Sequence, residues 1–279
     1  QRYRAAICTF NDDIQGTAAV ALAGIFSALR VTGAKLAEQS ILFLGAGEAA
    51  TGIADLVVAA MVAQGLAASA ARKRCWLVDS QGLVVKARPG LAEHKLAYAH
   101  EHAPLPDFLS AVKALRPSAI VGVAAVGGTF TREVLEEVAK INRQPIVFAL
   151  SNPTSKAECT AEEAYRHTGG RALFACGSPF DPVMLNGRTF VPRQGNNSYV
   201  FPGIGLGAIV SRARHVTNEM FLAAAQALAE QVSESDLAQG SLYPALPRIR
   251  EAAGLIATAG AVAAYGSWLA GSARRADIE

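Results

Sequence analysis

The sequence lacks an excess of charge of either sign and lacks paired cysteines. Lys and Arg number 26 against 23 Asp and Glu, a formal net charge of +3, so the chain sets up no field of the kind that captures nucleic acid. With 51% apolar residues it is equally far from the composition of a disordered segment. The four cysteines, Cys8, Cys75, Cys159 and Cys176, form no C-x-x-C pair. That excludes a zinc ribbon and a disulfide scaffold and suits a reducing, intracellular compartment, cytoplasmic or organellar; all four are expected to be buried thiols. No charged-then-apolar leader opens the chain, and the first residue is Gln1 rather than Met, which reads as a fragment without a secretion signal. Internal repeats and low-complexity linkers are missing too, so one domain is expected over residues 1–279.

What is present suits a sizeable core, since 279 residues are enough for one large domain or two small ones. Residues 252–273 carry no charge and match the ~20 residues of a bilayer helix. They are mostly Ala and Gly, with Leu255, Ile256, Val262 and Leu269 as the strong aliphatics, a composition that inserts poorly. A buried helix is expected there, and no membrane partner.

Elsewhere apolar runs alternate with helical periodicity. Helices are expected over 17–36, around 54–61, and over 107–115, 132–141 and 160–167. Strands are expected over 41–44, 75–79, 119–125, 145–150 and 172–176. Asp12, Asp13 and Gly16 fall in a loop before the first helix. Beyond Asn197 the chain reads as helical almost throughout, over 219–232 and 247–268. The alternation predicts an α/β fold: a doubly wound, Rossmann-type parallel sheet with helices on both faces and a helical C-terminal cap.

Chemistry concentrates in a few places. Gly45-Ala46-Gly47-Glu48-Ala49-Ala50 fits G-x-G-x-x-A between an expected strand and an expected helix. The first glycine permits a sharp turn, the second lets the backbone approach a pyrophosphate, Ala50 permits close helix packing, and the helix start offers free N–H donors. Asp79, followed by Ser80, ends the next strand where a carboxylate can accept bonds from an adenosine ribose; the spacing exceeds the usual ~20 residues. An ordinary tight turn with a solvated Asp79 is the plainer reading, and the strand and helix context outweighs it. Adjacent Asp12 and Asp13 read either as helix caps or as a hard-cation ligand beside a proton-transfer group. Asn152, in Ser151-Asn152-Pro153-Thr154, follows a strand, and Asn196 and Asn197 lie in a second expected loop; each is a turn former or a ligand contact. His100-Glu101-His102 makes a poor metal site without further ligands.

Taken in order, the segments 8–18, 45–49, 76–80, 148–154, 177–182 and 195–203 resemble the signature of malic enzymes, and the resemblance covers nearly the whole chain. It is similar to the NAD(P)-binding domain of the long class of that family. The resemblance implies oxidative decarboxylation of (S)-malate to pyruvate and carbon dioxide, hydride transfer to NAD or NADP, and Mg or Mn as Lewis acid. On the family pattern Asp13 matches a metal carboxylate and Asp12 the catalytic one beside it. Asn152 and Asn197 match amides that contact substrate and nicotinamide, with Asn196 alongside, and Asp79 matches the ribose-side acid. The family's remaining metal carboxylates, catalytic lysine and tyrosine acid lie upstream, whereas residues 1–11 hold no Asp, Glu or Lys and Tyr3 is too close to Asp12 to match.

The resemblance therefore implies a missing N-terminal domain, an isolated chain that binds cofactor without turning over malate, and a homo-oligomer for the full-length enzyme. Lys95 falls where NADP-preferring relatives carry a lysine, which favours NADP; a solvated surface lysine is the alternative. Two other functions stay open: a dinucleotide-binding module without chemistry, and a different Rossmann dehydrogenase, which would need its substrate lysines inside this chain.

Overall fold

The computed structural model describes residues 6–267 and 269–271; Tyr3 and Trp268, the end of the last expected helix, lie outside the described residues. A π-helical turn, Asp12–Gly16, runs directly into α1 (Thr17–Thr32). Asp12, Asp13 and Gly16 are thus helical rather than in a loop. The cap is Asn11, whose side chain accepts from the Ile14 N–H, so neither aspartate fills that role. α1 stops at Gly33, in the left-handed region at φ +69°, a conformation that costs a Cβ-free residue little and ends helices. The helix is therefore four residues shorter than its periodicity suggests.

The chain continues through β1 (Ile41–Leu44), α2 (Glu48–Ala63), α3 (Ala68–Arg72), β2 (Cys75–Asp79), β3 (Gly82–Leu83), α4 (Glu93–Leu96) and α5 (Phe108–Leu115). Then come β4 (Ala119–Gly122), α6 (Arg132–Ile141), β5 (Ile146–Ala149), α7 (Ala161–His167) and β6 (Leu173–Cys176). A hairpin of β7 (Val183–Leu185) and β8 (Arg188–Phe190) precedes α8 (Phe201–Ser211), α9 (Asn218–Glu230), α10 (Glu234–Ala238) and α11 (Ile249–Gly266).

The main sheet has the order β3-β2-β1-β4-β5-β6, with Leu44 level with Val78 on one side and Gly122 on the other. Five strands are parallel, as the alternation predicts, but β3 pairs antiparallel with β2. Only Ser80 and Gln81 separate them, far too few residues for the crossover that a parallel neighbour needs. β7 and β8 form a separate two-stranded ribbon.

Side chains alternate across the sheet into two cores, which is why the strands are apolar on both faces. Ile41, Phe43, Leu77, Val121 and Phe148 pack with α1, α2, α8, α9 and α11. Leu42, Val78, Ile120, Val147 and Phe174 pack with α5, α6 and α7. The C-terminal helices extend the first core, and Tyr243 ties them to it by donating its hydroxyl to the Val20 carbonyl at 3.0 Å. The segment Asp12–Thr32 is long and apolar enough to cross a bilayer, yet 67% of its apolar window is buried within the fold. α11 buries Ala252, Ile256, Ala257 and Ala264, with Gly203 and Gly207 of α8 leaving room for it. Cys75, Cys159 and Cys176 are buried, but Cys8 is exposed, because it sits in a bend ahead of the first helical turn.

Candidate functional site

Strand order reverses beside β1, whose neighbours are β2 and β4, and a crevice at such a switch point is where open α/β sheets bind ligands. The glycine turn lies at the carboxyl end of β1. Gly45 donates its N–H to the Val78 carbonyl at 2.8 Å. It holds φ +113°, and a Cβ there would meet the Val123 backbone at 3.0 Å. Gly47 is the residue before α2 and has no side chain to cap the helix; a Cβ on it would meet nothing within 4 Å. The first turn of α2 thus has no side-chain cap and leaves room beside Gly47, an arrangement compatible with a phosphate at the helix start. Glu48 is exposed and Ala49 half-buried at this mouth, while Ala46 is buried with its carbonyl 3.0 Å from His94 Nε2. Ala50 joins the core, but the tight helix contact belongs to Gly52, where a Cβ would fall 2.6 Å from Ile14.

At the end of β2, Asp79 is bound on every side. Oδ1 accepts from the Gln81 N–H and from Arg88, both at 2.9 Å; Oδ2 accepts from Arg88 at 2.6 Å and Lys95 at 2.7 Å. Burial would push this carboxyl up, but the bonds from Arg88 and then Lys95 outweigh it and bring it down to about 2. Two cations against one carboxylate leave the group net positive. Ser80 beside it is exposed.

Asp12 is the opposite case. Its Oδ2 accepts from Asn197 Nδ2 at 2.5 Å, which joins residues 185 apart in sequence. Its Oδ1 is buried with no hydrogen-bond partner among the described residues and lies over Gly16, where a Cβ would displace it. Burial, then the adjacent charge of Asp13, pushes the Asp12 carboxyl up. Asn197 reaches this place because Gln194 bridges Cys176 at the end of β6. Asn196 caps the short helical turn that follows, its Oδ1 accepting from the Ser198 N–H at 2.9 Å.

Asn152 is exposed in the loop after β5, next to buried Ser151. His100 donates its Nε2–H to the Cys75 carbonyl, 2.9 Å away, and with His102 packs edge-on against Trp76. Among the described residues no three His, Cys, Asp or Glu side chains converge on a possible metal position. Asp13 is exposed and, with Asp12, would be at most part of such a ligand set.

The structure adds two residues to this site. Arg88 forms the bidentate pair with Asp79, and His94 backs the glycine turn. Both lie in a connection of irregular spacing, where nothing in the residue pattern points them at positions 79 and 46. A basic residue downstream of the strand-end acid is the one available signal, and it is shared by Lys86 and Lys95.

A model of the family described as malic enzyme, NAD binding domain, matches residues 14–265. The chain is 54% identical over 265 residues to the NADP-dependent malic enzyme of Anas platyrhynchos, covering 95% of this chain and 48% of that protein. It is 56% identical over 250 residues to the NADP-dependent malic enzyme of Mus musculus, covering 89% and 44%. Its fold matches a crystal structure of malic enzyme from Pyrococcus horikoshii Ot3 with a TM-score of 0.73 at 27% identity, over 98% of this chain and 59% of that one. The chain spans about half the length of the curated relatives it matches.

Proposed function

The chain belongs to the malic enzyme family, matching its NAD-binding domain, and from that premise we propose that it binds NADP at the switch point of its sheet. Within a longer protein it would serve the oxidative decarboxylation of (S)-malate to pyruvate and carbon dioxide, in a homo-oligomer. The observation that carries the choice of cofactor is the net-positive group at the end of β2. Arg88 and Lys95 share Asp79, whose four acceptor positions are already filled, so a ribose hydroxyl gains little there. A phosphate on that ribose gains two preplaced cations, one of them a guanidinium fork. The NADP dependence of the relatives from Anas platyrhynchos and Mus musculus supports the same choice.

When bound, NADP would supply the acceptor for a hydride from the substrate carbon. The N–H groups at Gly47 and the start of α2 would hold its pyrophosphate, and Lys95, Arg88 and Asp79 its adenosine end. Asn152, in a loop beyond β5, and Asn197, beside Asp12, would orient substrate and nicotinamide. Asp12 is suited to hold and pass a proton, since its Oδ1 is buried and has no hydrogen-bond partner among the described residues and Asn197 fixes its orientation. A Mg or Mn ion does not find a complete ligand set among the described residues; Asp13 would be one ligand, with the others in the rest of the longer protein.

Titration calorimetry of the chain with NADP and NAD tests this. NADP is expected to bind at least about tenfold more tightly, with Lys95→Ala losing about that factor for NADP and less than about twofold for NAD. Equal affinities, or an equal loss for both cofactors, would remove the phosphate role. Malate-dependent NADPH formation by the chain alone is expected to be absent; its detection would show that the chain needs no further ligands.

A further inference from the structure

One buried carboxyl has no part in the proposed chemistry. Glu158, fully buried at 0% exposure, follows β5 and reaches under the loop that leaves β4. The strand is cut back to admit it: a Cβ on Gly122, the last residue of β4, would fall 2.4 Å from Glu158 Cδ. Its Oε1 accepts from Ser151 Oγ at 2.5 Å and from the Ala124 N–H at 3.4 Å, and its Oε2 accepts from the Ser151 N–H at 3.3 Å. Ser151 Oγ accepts in turn from the Ala125 N–H at 2.9 Å.

This relay ends on a strained residue. Ala125 holds φ +54°, in a region that a Cβ-bearing residue keeps only when its surroundings impose it. Two backbone bonds, from Gly128 N–H to the Ala157 carbonyl at 3.0 Å and from Phe130 N–H to the Glu158 carbonyl at 2.9 Å, clasp the same two loops further along. The Glu158–Ser151 link is the hold nearest Asn152. In a sheet of this order the pyrophosphate lies over the turn after β1 and the adenosine half toward β2, so the other half of a dinucleotide falls over the ends of β4 and β5. Those are the ends that Glu158 joins.

We propose that Glu158 is a positioning residue: through Ser151 it fixes the loops at 123–129 and 151–156, and thereby sets affinity for the nicotinamide half of the cofactor without touching it. The proposal rests on the reading that the chain binds NADP at the switch point. Burial pushes the Glu158 carboxyl up, offset in part by the bond from Ser151. Among the described residues its hydrogen bonds come from neutral donors, the Ser151 hydroxyl and the Ser151 and Ala124 N–H groups.

The test uses two ligands, NADP and adenosine 2′,5′-bisphosphate, which has the adenosine end alone, titrated into the parent chain, Ser151→Ala and Glu158→Gln. Ser151→Ala removes the hydroxyl that links Ala125 to Glu158, and Glu158→Gln replaces an accepting oxygen with an N–H₂. Each is expected to weaken NADP about tenfold and to leave the bisphosphate within about twofold, with the thermal midpoint of Ser151→Ala close to the parent. Loss of affinity for both ligands alike, or for neither, would overturn the positioning role. Should Glu158→Gln fail to fold, Ser151→Ala decides the matter by the same two affinities. A parent chain that binds neither ligand would instead bring down the cofactor reading.

Discussion

Asp79 and Asp12 are the same side chain in two environments pushed opposite ways. Asp79 has a cation on each side and is held down to about 2; it is a fixed charge whose work is to aim Arg88 and Lys95. Asp12 has, among the described residues, no cation paired with it, one buried oxygen without a partner and a like charge next door, and it is pushed up. The difference teaches that residue type alone does not assign a role here. A carboxylate saturated by donors serves as scaffold, and one short of donors can exchange a proton.

The contrast can be broken at its proton-handling end first. In a longer protein that carries the proposed activity, Asp12→Asn keeps an acceptor for Asn197 but removes the titrating group, and kcat is expected to fall by a factor on the order of 10² or more while NADP affinity holds. Steady-state kinetics checks this, and an unchanged kcat would make Asp12 a structural partner of Asn197. At the other end, Arg88→Ala deletes the bidentate partner of Asp79 and is expected to weaken NADP by about tenfold, with NAD nearly unaffected. Competitive titration against NAD gives the ratio. The smallest effect concerns stability. The folded value of Asp79 is about 2, below its ordinary 3.8, so its ion pairs stabilise the fold above about pH 4, and that contribution is lost as pH falls toward 2. Urea unfolding between pH 5 and 3 should show a loss of about 1 kcal/mol that Arg88→Ala reduces.

The sheet was legible where one signal dominated. Ile41–Leu44, Cys75–Asp79 and Arg132–Ile141 stand where their patterns place them, because an apolar run bounded by polar residues, or an apolar stripe of helical period, admits few alternatives. The β7–β8 hairpin falls outside the expected elements, although Asn186 and Gly187 carry its signal; both adopt positive φ, 52° and 75°, as a two-residue turn of this kind demands. β3, two residues long, is too short to leave a pattern. In the site, the glycine turn and Asp79 could be found from local order. The pairing of Asp12 with Asn197, and of Asp79 with Arg88, depends on how distant loops are delivered, by the bridge from Cys176 to Gln194 in one case and by an irregular connection in the other. Such meetings belong to tertiary structure and leave no periodicity behind.

Ile14 rests in the notch left by the missing side chain of Gly52, so the turn that bears Asp12 is seated on the helix that begins at Glu48. One rigid rod thus supports the acid along its flank and offers its tip to the phosphates. The two halves of the proposed chemistry thus share a common datum rather than two independent mounts.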